Sequence, residues 1–388
     1  MKIQSIVKGL LTLTLTATLC ISATTSVFAQ KKKKEKAKKE KITDPRLLAV
    51  MKMTKMTNEN QFVVKNQSLK TAHRAVQGFD ISEDGTMWYG QPGQIGKQQQ
   101  GLTKIHENYI IRVKDGKREV MTLNYFGGAN SICVEHAADG DYVWVSSNGD
   151  KWKGHYHRTR TISRVPFVAN SVVDNGCAGE TFYLGGDRYC WPAIDIENKV
   201  LGVATQNAGT VTIRTYNLDD VYALDNSPIK IKTTWKGENV GEAEEKVSRT
   251  FQARDLSQLE PLTTFTLPKL KEEECDPAKD PNCYSFRAWD IDKDYVYFVE
   301  GKHNGDKAKT ESKAYITVFD HSGRVVLPKR RIQAIHDYYL LGTLDIAPKG
   351  YADVAGIRVK SDGIYILFAG KGVNSKGKST LRANVVKY

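Results

Sequence analysis

One short pattern occurs five times in this chain, and it decides what the chain can fold into. An apolar strand runs into an acidic or glycine-containing turn and continues as an aromatic-rich strand. The clearest copy is residues 78–89, GFDISEDGTMWY; the others lie at 130–144, 192–203, 288–298 and 356–366. Self-similarity at a spacing of tens of residues in an all-β sequence points to radial repetition, with four-stranded blades as the usual unit. Five copies predict an all-β, five-bladed β-propeller.

Turn chemistry lays out the blades. In blade one, strands at 79–82 and 86–91 flank Glu83-Asp84-Gly85, and strands at 109–113 and 119–123 flank Asp115-Gly116, the strongest short-range hairpin signal. The same plan gives blade two from 131–134, 142–146, 161–167 and 182–184, and blade three from 192–196, 200–205, 210–218 and 263–267. Residues 227–261 then form an insertion, with the Glu-rich stretch 243–254 expected as one short surface helix. Blade four takes 286–291, 295–300, 314–320 and 325–327; blade five has only 355–359, 364–369 and 380–386. A ring left open exposes unpaired strand edges. The apolar run Phe62-Val63-Val64 has no blade of its own, so it is expected to pair with residues 384–386 and close the last blade.

Ahead of the propeller at 61–388, residues 1–29 read as a secretory signal peptide. Lys2 and Lys8 supply the positive segment, residues 10–21 the apolar segment, and Val27-Phe28-Ala29 the small-residue cleavage pattern. Residues 30–60 read as a basic, disordered arm. Eight lysines and two glutamates between residues 31 and 41 carry about half of the formal net charge of +13. Such a run is a solvated spacer or an arm drawn to anionic surface polymers by charge. The expected location is secreted or extracellular, with cell-surface association through the arm. No later stretch approaches a membrane span, and no nucleic-acid-binding module is recognisable.

An exported chain meets an oxidising compartment. Cys275 and Cys283 bracket a turn-rich loop and Cys177 and Cys190 flank neighbouring strands, so two disulfides are expected. Cys133 is left over inside an apolar strand, as a small buried hydrophobe.

Several segments resemble helveticin J-like class III bacteriocins and the related propellers of teichoic-acid-associated and phage receptor-binding proteins. Gln77-Gly78-Phe79-Asp80-Ile81 with Gly85-Thr86-Met87-Trp88-Tyr89 resembles one family segment. Residues 127–135, GGANSICVE, and 162–167, ISRVPF, look like two more, and residues 380–386 resemble the closing strand. Gly128 stands where that family often carries His, so any role of that His does not transfer. The resemblance implies a five-bladed propeller that recognises a bacterial cell-envelope glycan or anionic glycopolymer, with antibacterial action as the outcome.

Propeller ligands sit at one end of the central channel, which makes residues around the inner strands the candidates. They are His73, Arg74, Gln77, Asn130, Glu135, Tyr189, Trp191, Arg287, Trp289 and Arg358, beside Asp353. Aromatic faces flanked by Arg, Asn and Gln suit a carbohydrate or phosphate-rich polymer. Trp88 and Trp144, in second strands, read as blade packing; Trp289 is divided between packing and the channel. The alternative function is a secreted glycoside hydrolase or lyase, which needs two carboxylates at one channel mouth. Asp80, Asp195 and Asp290 recur at matching repeat positions, but recurrence favours turn caps over catalysis. Arg254-Asp255 faintly resembles the Arg-Asp pair of fructan and arabinan hydrolases. His155 and His157 lack a third zinc ligand, and Asp276, Asp280 and Asp292 match no Ca²⁺ loop. No nucleotide motif is present and no cofactor is implied.

Overall fold

A computed structural model describes residues 42–388 apart from 56–58, 72–73, 96–105, 153–154, 174–178, 208–209, 237–243, 268–284, 303–311, 337–351 and 374–378. The expected signal peptide, the lysine run of the basic arm, Cys177, Cys275, Cys283, Asp276 and Asp280 therefore lie outside the described residues. Contacts separate residues 1–45 from a unit spanning Arg46–Tyr388, and that second unit is a five-bladed β-propeller.

In chain order, helix α1 (Pro45–Lys52) leads to β1 (Phe62–Gln67), and blade one follows as β2 (Gly78–Ile81), β3 (Met87–Ile95), β4 (His106–Lys114) and β5 (Lys117–Asn124). Blade two opens with β6 (Ile132–Ala137) and β7 (Gly140–Ser147). The small hairpin β8 (Asp150–Trp152) and β9 (His155–Arg158) comes next as a sheet of its own, then β10 (Thr161–Pro166), the two-residue β11 (Val172–Val173), which pairs parallel with β5 of blade one, and β12 (Glu180–Tyr183). Blade three comprises β13 (Trp191–Asp195), β14 (Val200–Asn207) and β15 (Thr210–Asn217). After helix α2 (Leu218–Ala223) and the hairpin β16 (Asn226–Lys236) and β17 (Glu244–Asp255), β18 (Thr263–Thr266) completes it. Blade four is β19 (Ser285–Ile291), β20 (Tyr295–Lys302), β21 (Lys313–Asp320) and β22 (Val325–Arg331). Helix α3 (Gln333–His336) precedes blade five, made of β23 (Ala352–Lys360), β24 (Gly363–Val373) and β25 (Ser379–Lys387).

The closure expected from sequence is present. β1 pairs antiparallel with β25, Phe62 opposite Val386, Val64 opposite Val385 and Gln67 opposite Ala383, giving blade five its fourth strand. Inner strands then touch in a cycle, β2 to β6 to β13 to β19 to β23 and back to β2. The core lies between blades. Phe79, Tyr89, Leu367 and Val385 fill the seam between blades five and one; Trp191, Ile213, Phe286 and Trp289 fill that between three and four. Two seams are tight enough to demand glycine. A Cβ on Gly356 would stand 2.5 Å from Phe79 Cδ1, and one on Gly202 would stand 2.9 Å from Trp289 Cη2. No helix among the described residues is long and apolar enough to cross a membrane.

Three expectations change. Within the stretch expected as helix, residues 244–254 are strand: β16 and β17 pair over eleven positions, and β17 runs parallel to β12, which widens blade two to six strands. An Arg254–Glu180 ion pair fastens that junction. The arm ends earlier than residue 60, because α1 is folded from Pro45 and buries Leu47, Ala49, Val50 and Met53. Cys190 is a free, fully buried thiol whose Sγ lies 3.9 Å from both Thr159 O and Asp187 O, so the expected bridge from it is not made. Cys133 is likewise free and buried, as expected. Alkylation in denaturant without reductant is therefore expected to label both thiols, and neither in the native protein; a Cys190 that stays unlabelled until reduced would contradict the free thiol.

Candidate functional site

The inner strands set one side chain each at matching depth on the channel axis: Asp80, Cys133, Ala193, Asp290 and Arg358. The equivalence follows from register, since Asp80 sits opposite Trp88, Asp290 opposite Tyr297 and Arg358 opposite Tyr365. Asp195 lies two residues beyond its blade's position and caps a turn, its Oδ1 accepting from Asn198 N at 3.1 Å. The turn-cap expectation thus holds for Asp195 and fails for Asp80 and Asp290. Each of these reaches the next blade instead: Asp80 Oδ2 accepts from Val134 N at 2.8 Å, and Asp290 Oδ2 from Val359 N at 2.7 Å.

Arg358 lies between the two carboxylates. Its Nε is 3.4 Å from Asp80 Oδ1 and its Nη1 3.3 Å from Asp290 Oδ1, while Lys360 Nζ stands 3.1 Å from Asp80 Oδ1. Asp80, Asp290 and Arg358 are only 3–4% exposed, which makes their mutual pairing decisive. Buried charges of this kind persist only when compensated. Burial opposes ionisation of Asp80, but Lys360, Arg358 and the Val134 amide outweigh it and hold its carboxyl below the usual range. Burial wins at Asp290, with the Asp80 charge adding to it, and raises that group to about 6 despite Arg358 and the Val359 amide. Burial also pushes the Cys133 thiol up to about 12, so it is not a nucleophile at neutral pH.

Above this cluster opens a bowl of about 1070 Å³ lined by the inner hairpins of all five blades. Its floor is Asp80, Asp290, Arg358 and Lys360; its wall includes Ile81, Val134, Ile194 and Ile291; its rim carries Glu83, Asp84, Glu197, Lys293 and Asp362. Rim carboxylates outnumber rim cations, and several are already engaged. Asp84 binds Lys114 at 2.8 Å, and Asp362 binds Lys387 at 2.6 Å. Arg46 reaches the rim from α1, with Nη1 3.1 Å from Asp292, Nη2 2.7 Å from Asp294, and its guanidinium 4.7 Å above the Tyr295 ring.

Of the ten residues singled out from sequence, Arg358 alone lines this bowl. Arg74, Gln77, Asn130 and Tyr189 precede the inner strands and so lie toward the opposite end of the channel, where Arg287 Nε faces Asp353 Oδ1 at 3.3 Å. Trp191 stacks on Phe286 at 4.1 Å, and Trp289 is buried against Gly202, so both are blade packing. Trp88 and Trp144 are packing residues as expected. Glu135 points outward to a separate cluster, accepting from Arg164 Nε at 2.8 Å, Trp144 Nε1 at 2.9 Å and Tyr222 Oη at 2.8 Å. His73 and the side chains of His155 and His157 lie outside the described residues. Arg254 and Asp255 serve the β17 junction and the turn after it, where Asp255 Oδ1 accepts from Ser257 N at 3.0 Å. Sequence reading missed Asp80 and Asp290 as channel groups; the signal available was their shared place, two residues before each inner turn.

The chain matches no protein-family model and no curated protein.

The folded Asp290 carboxyl titrates near 6 against an ordinary value of 3.8. Folding therefore favours its protonated form. The stability this contributes is complete below the unfolded value and is lost as pH rises through about 6. An Asp290→Asn protein keeps an acceptor for Val359 N–H but cannot titrate. The difference in unfolding free energy between the native protein and this variant, from urea titrations, is expected to change between pH 4 and 7 by on the order of 1–3 kcal/mol. A difference flat across that window would refute the shift.

Proposed function

We propose that this is a secreted, non-enzymatic propeller that recognises a bacterial cell-envelope glycan or glycopolymer through the bowl, with antibacterial action of the helveticin type as the outcome. The observation that carries the reading is the bowl: five hairpins converge on one concave surface whose floor presents both hydrogen-bond donors and acceptors. Sites with a few convergent polar groups in an apolar wall are where propellers and other folds hold small ligands. The sequence resemblance in blades one, two and five supplies the envelope context. The basic run at residues 31–41 adds a sequence-independent attraction to anionic surfaces, one that salt screens within about 10 Å at 0.1 M. Retention of the protein on purified bacterial walls tests the proposal, and absence of retention at both low and physiological salt would refute it.

The opposed titration of Asp80 and Asp290 favours a second reading, a hydrolase or lyase, because paired carboxyls pushed apart in pKa are how acid–base roles are divided. Against it, each carboxylate is already committed to a backbone N–H of the next blade and to Arg358. Turnover of a defined glycan that vanishes in Asp290→Asn would establish the enzyme.

A further inference from the structure

Resting on the binding reading above, we infer that the bowl's floor is built for a neutral polyhydroxyl unit, a sugar diol, and not for a phosphate, carboxylate or ammonium group. The Arg358 guanidinium has five N–H donors in a fixed fork, and its two flanking carboxylates stand farther off than a charge-assisted hydrogen bond prefers, Asp80 Oδ1 3.4 Å from Nε and Asp290 Oδ1 3.3 Å from Nη1. Nη1 donates to Ile357 O at 3.0 Å; Nη2 points at Cys133 Sγ, a weak acceptor, at 3.5 Å. Nε is shut off from solvent and has only the 3.4 Å approach to Asp80 Oδ1, which leaves the outer guanidinium nitrogens to meet a ligand in the bowl. A guanidinium held by contacts this long gains from a better-placed acceptor.

Charge then selects the acceptor. Asp80 and Asp290 balance Arg358 and Lys360 on the floor. An added anion would meet the carboxylate-rich rim, and an added cation would compete with Arg358 and Lys360 for the floor's two carboxylates. A hydroxyl accepts from a guanidinium N–H and donates to a carboxylate oxygen, so it adds bonds on both sides without disturbing the balance. Two neighbouring hydroxyls match the spacing of a guanidinium fork better than one does. Ile81, Val134, Ile194 and Ile291 around the floor give the C–H face of a sugar ring an apolar surface.

The test uses bacterial walls before and after removal of their phosphate polymers, with the neutral oligosaccharides and the released anionic polymer as soluble competitors. At 0.5 M NaCl, where the attraction of the basic arm is screened, retention on stripped walls is expected to equal that on intact walls. In the same salt, neutral oligosaccharides at millimolar concentration should displace the protein and the anionic polymer should not. Arg358→Lys keeps the charge but loses Nε and the fork, and is expected to weaken binding at least tenfold with an unchanged far-UV spectrum. Wild-type affinity in that variant overturns the inference. Should the variant not fold, the competition on the wild-type protein decides alone. Retention lost on stripping overturns the sugar-diol inference and leaves envelope binding standing; retention on neither wall overturns both.

Discussion

Replacing Arg358 by methionine is expected to destabilise the propeller by about 3–5 kcal/mol, the range found when one partner of a buried charge cluster is removed. Asp80 and Asp290 would then face each other with Lys360 as their remaining cation, and both are tied to neighbouring blades. Because Arg358 belongs to blade five and its partners to blades one and four, the loss falls on ring closure and not on any single sheet. Equilibrium urea unfolding at pH 7 measures it, and Arg358→Lys is expected to recover part of the loss. A methionine variant within 1 kcal/mol of the wild type would show that the cluster contributes little.

Breaking the β1–β25 pairing is expected to have the larger consequence, self-association beyond the wild-type state. The pairing covers one edge of β25, and long exposed edges invite pairing with other chains. Asn66 is the sensitive point. Its φ is +55°, which proline cannot adopt, and its N–H donates to Asn384 Oδ1 at 2.7 Å. The double variant Val64→Pro with Asn66→Pro retains α1 and its buried side chains while disrupting the strand. Size-exclusion chromatography should show aggregates or larger species than the wild-type protein gives. A variant with the wild-type elution volume and unfolding cooperativity would mean that the ring does not depend on this strand.

Most of the architecture was legible because it is written in local chemistry. Asp115-Gly116 and Glu83-Asp84-Gly85 announce their hairpins, and the lone run at 62–64 has no partner except an open last blade. Residues 244–254 misled because glutamate and lysine favour helix locally, whereas their strand state comes from an eleven-position pairing with β16 and a junction to β12. The floor of the bowl was harder to read. Asp195 mimics Asp80 and Asp290 in sequence, and only the longer hairpin of blade three moves it off the axis. Glu135 and Trp289 show the converse: both look available for a ligand, and both are consumed by seams between blades. Alternation along a strand tells inside from outside, but it does not tell a channel face from an interblade face when both are covered.

The closing pair also sets a timetable. The strand that seals the ring, at residues 62–67, precedes its partner at 379–387 by more than three hundred residues. In a chain emerging N-terminus first, four blades can zip up locally while that early strand waits, unpaired, for the last segment to appear. Contacts between such distant segments form slowly, since a long loop must close before they form. The waiting strand and blade five's open flank are then the places where a chaperone, or a second unfinished copy, would first take hold.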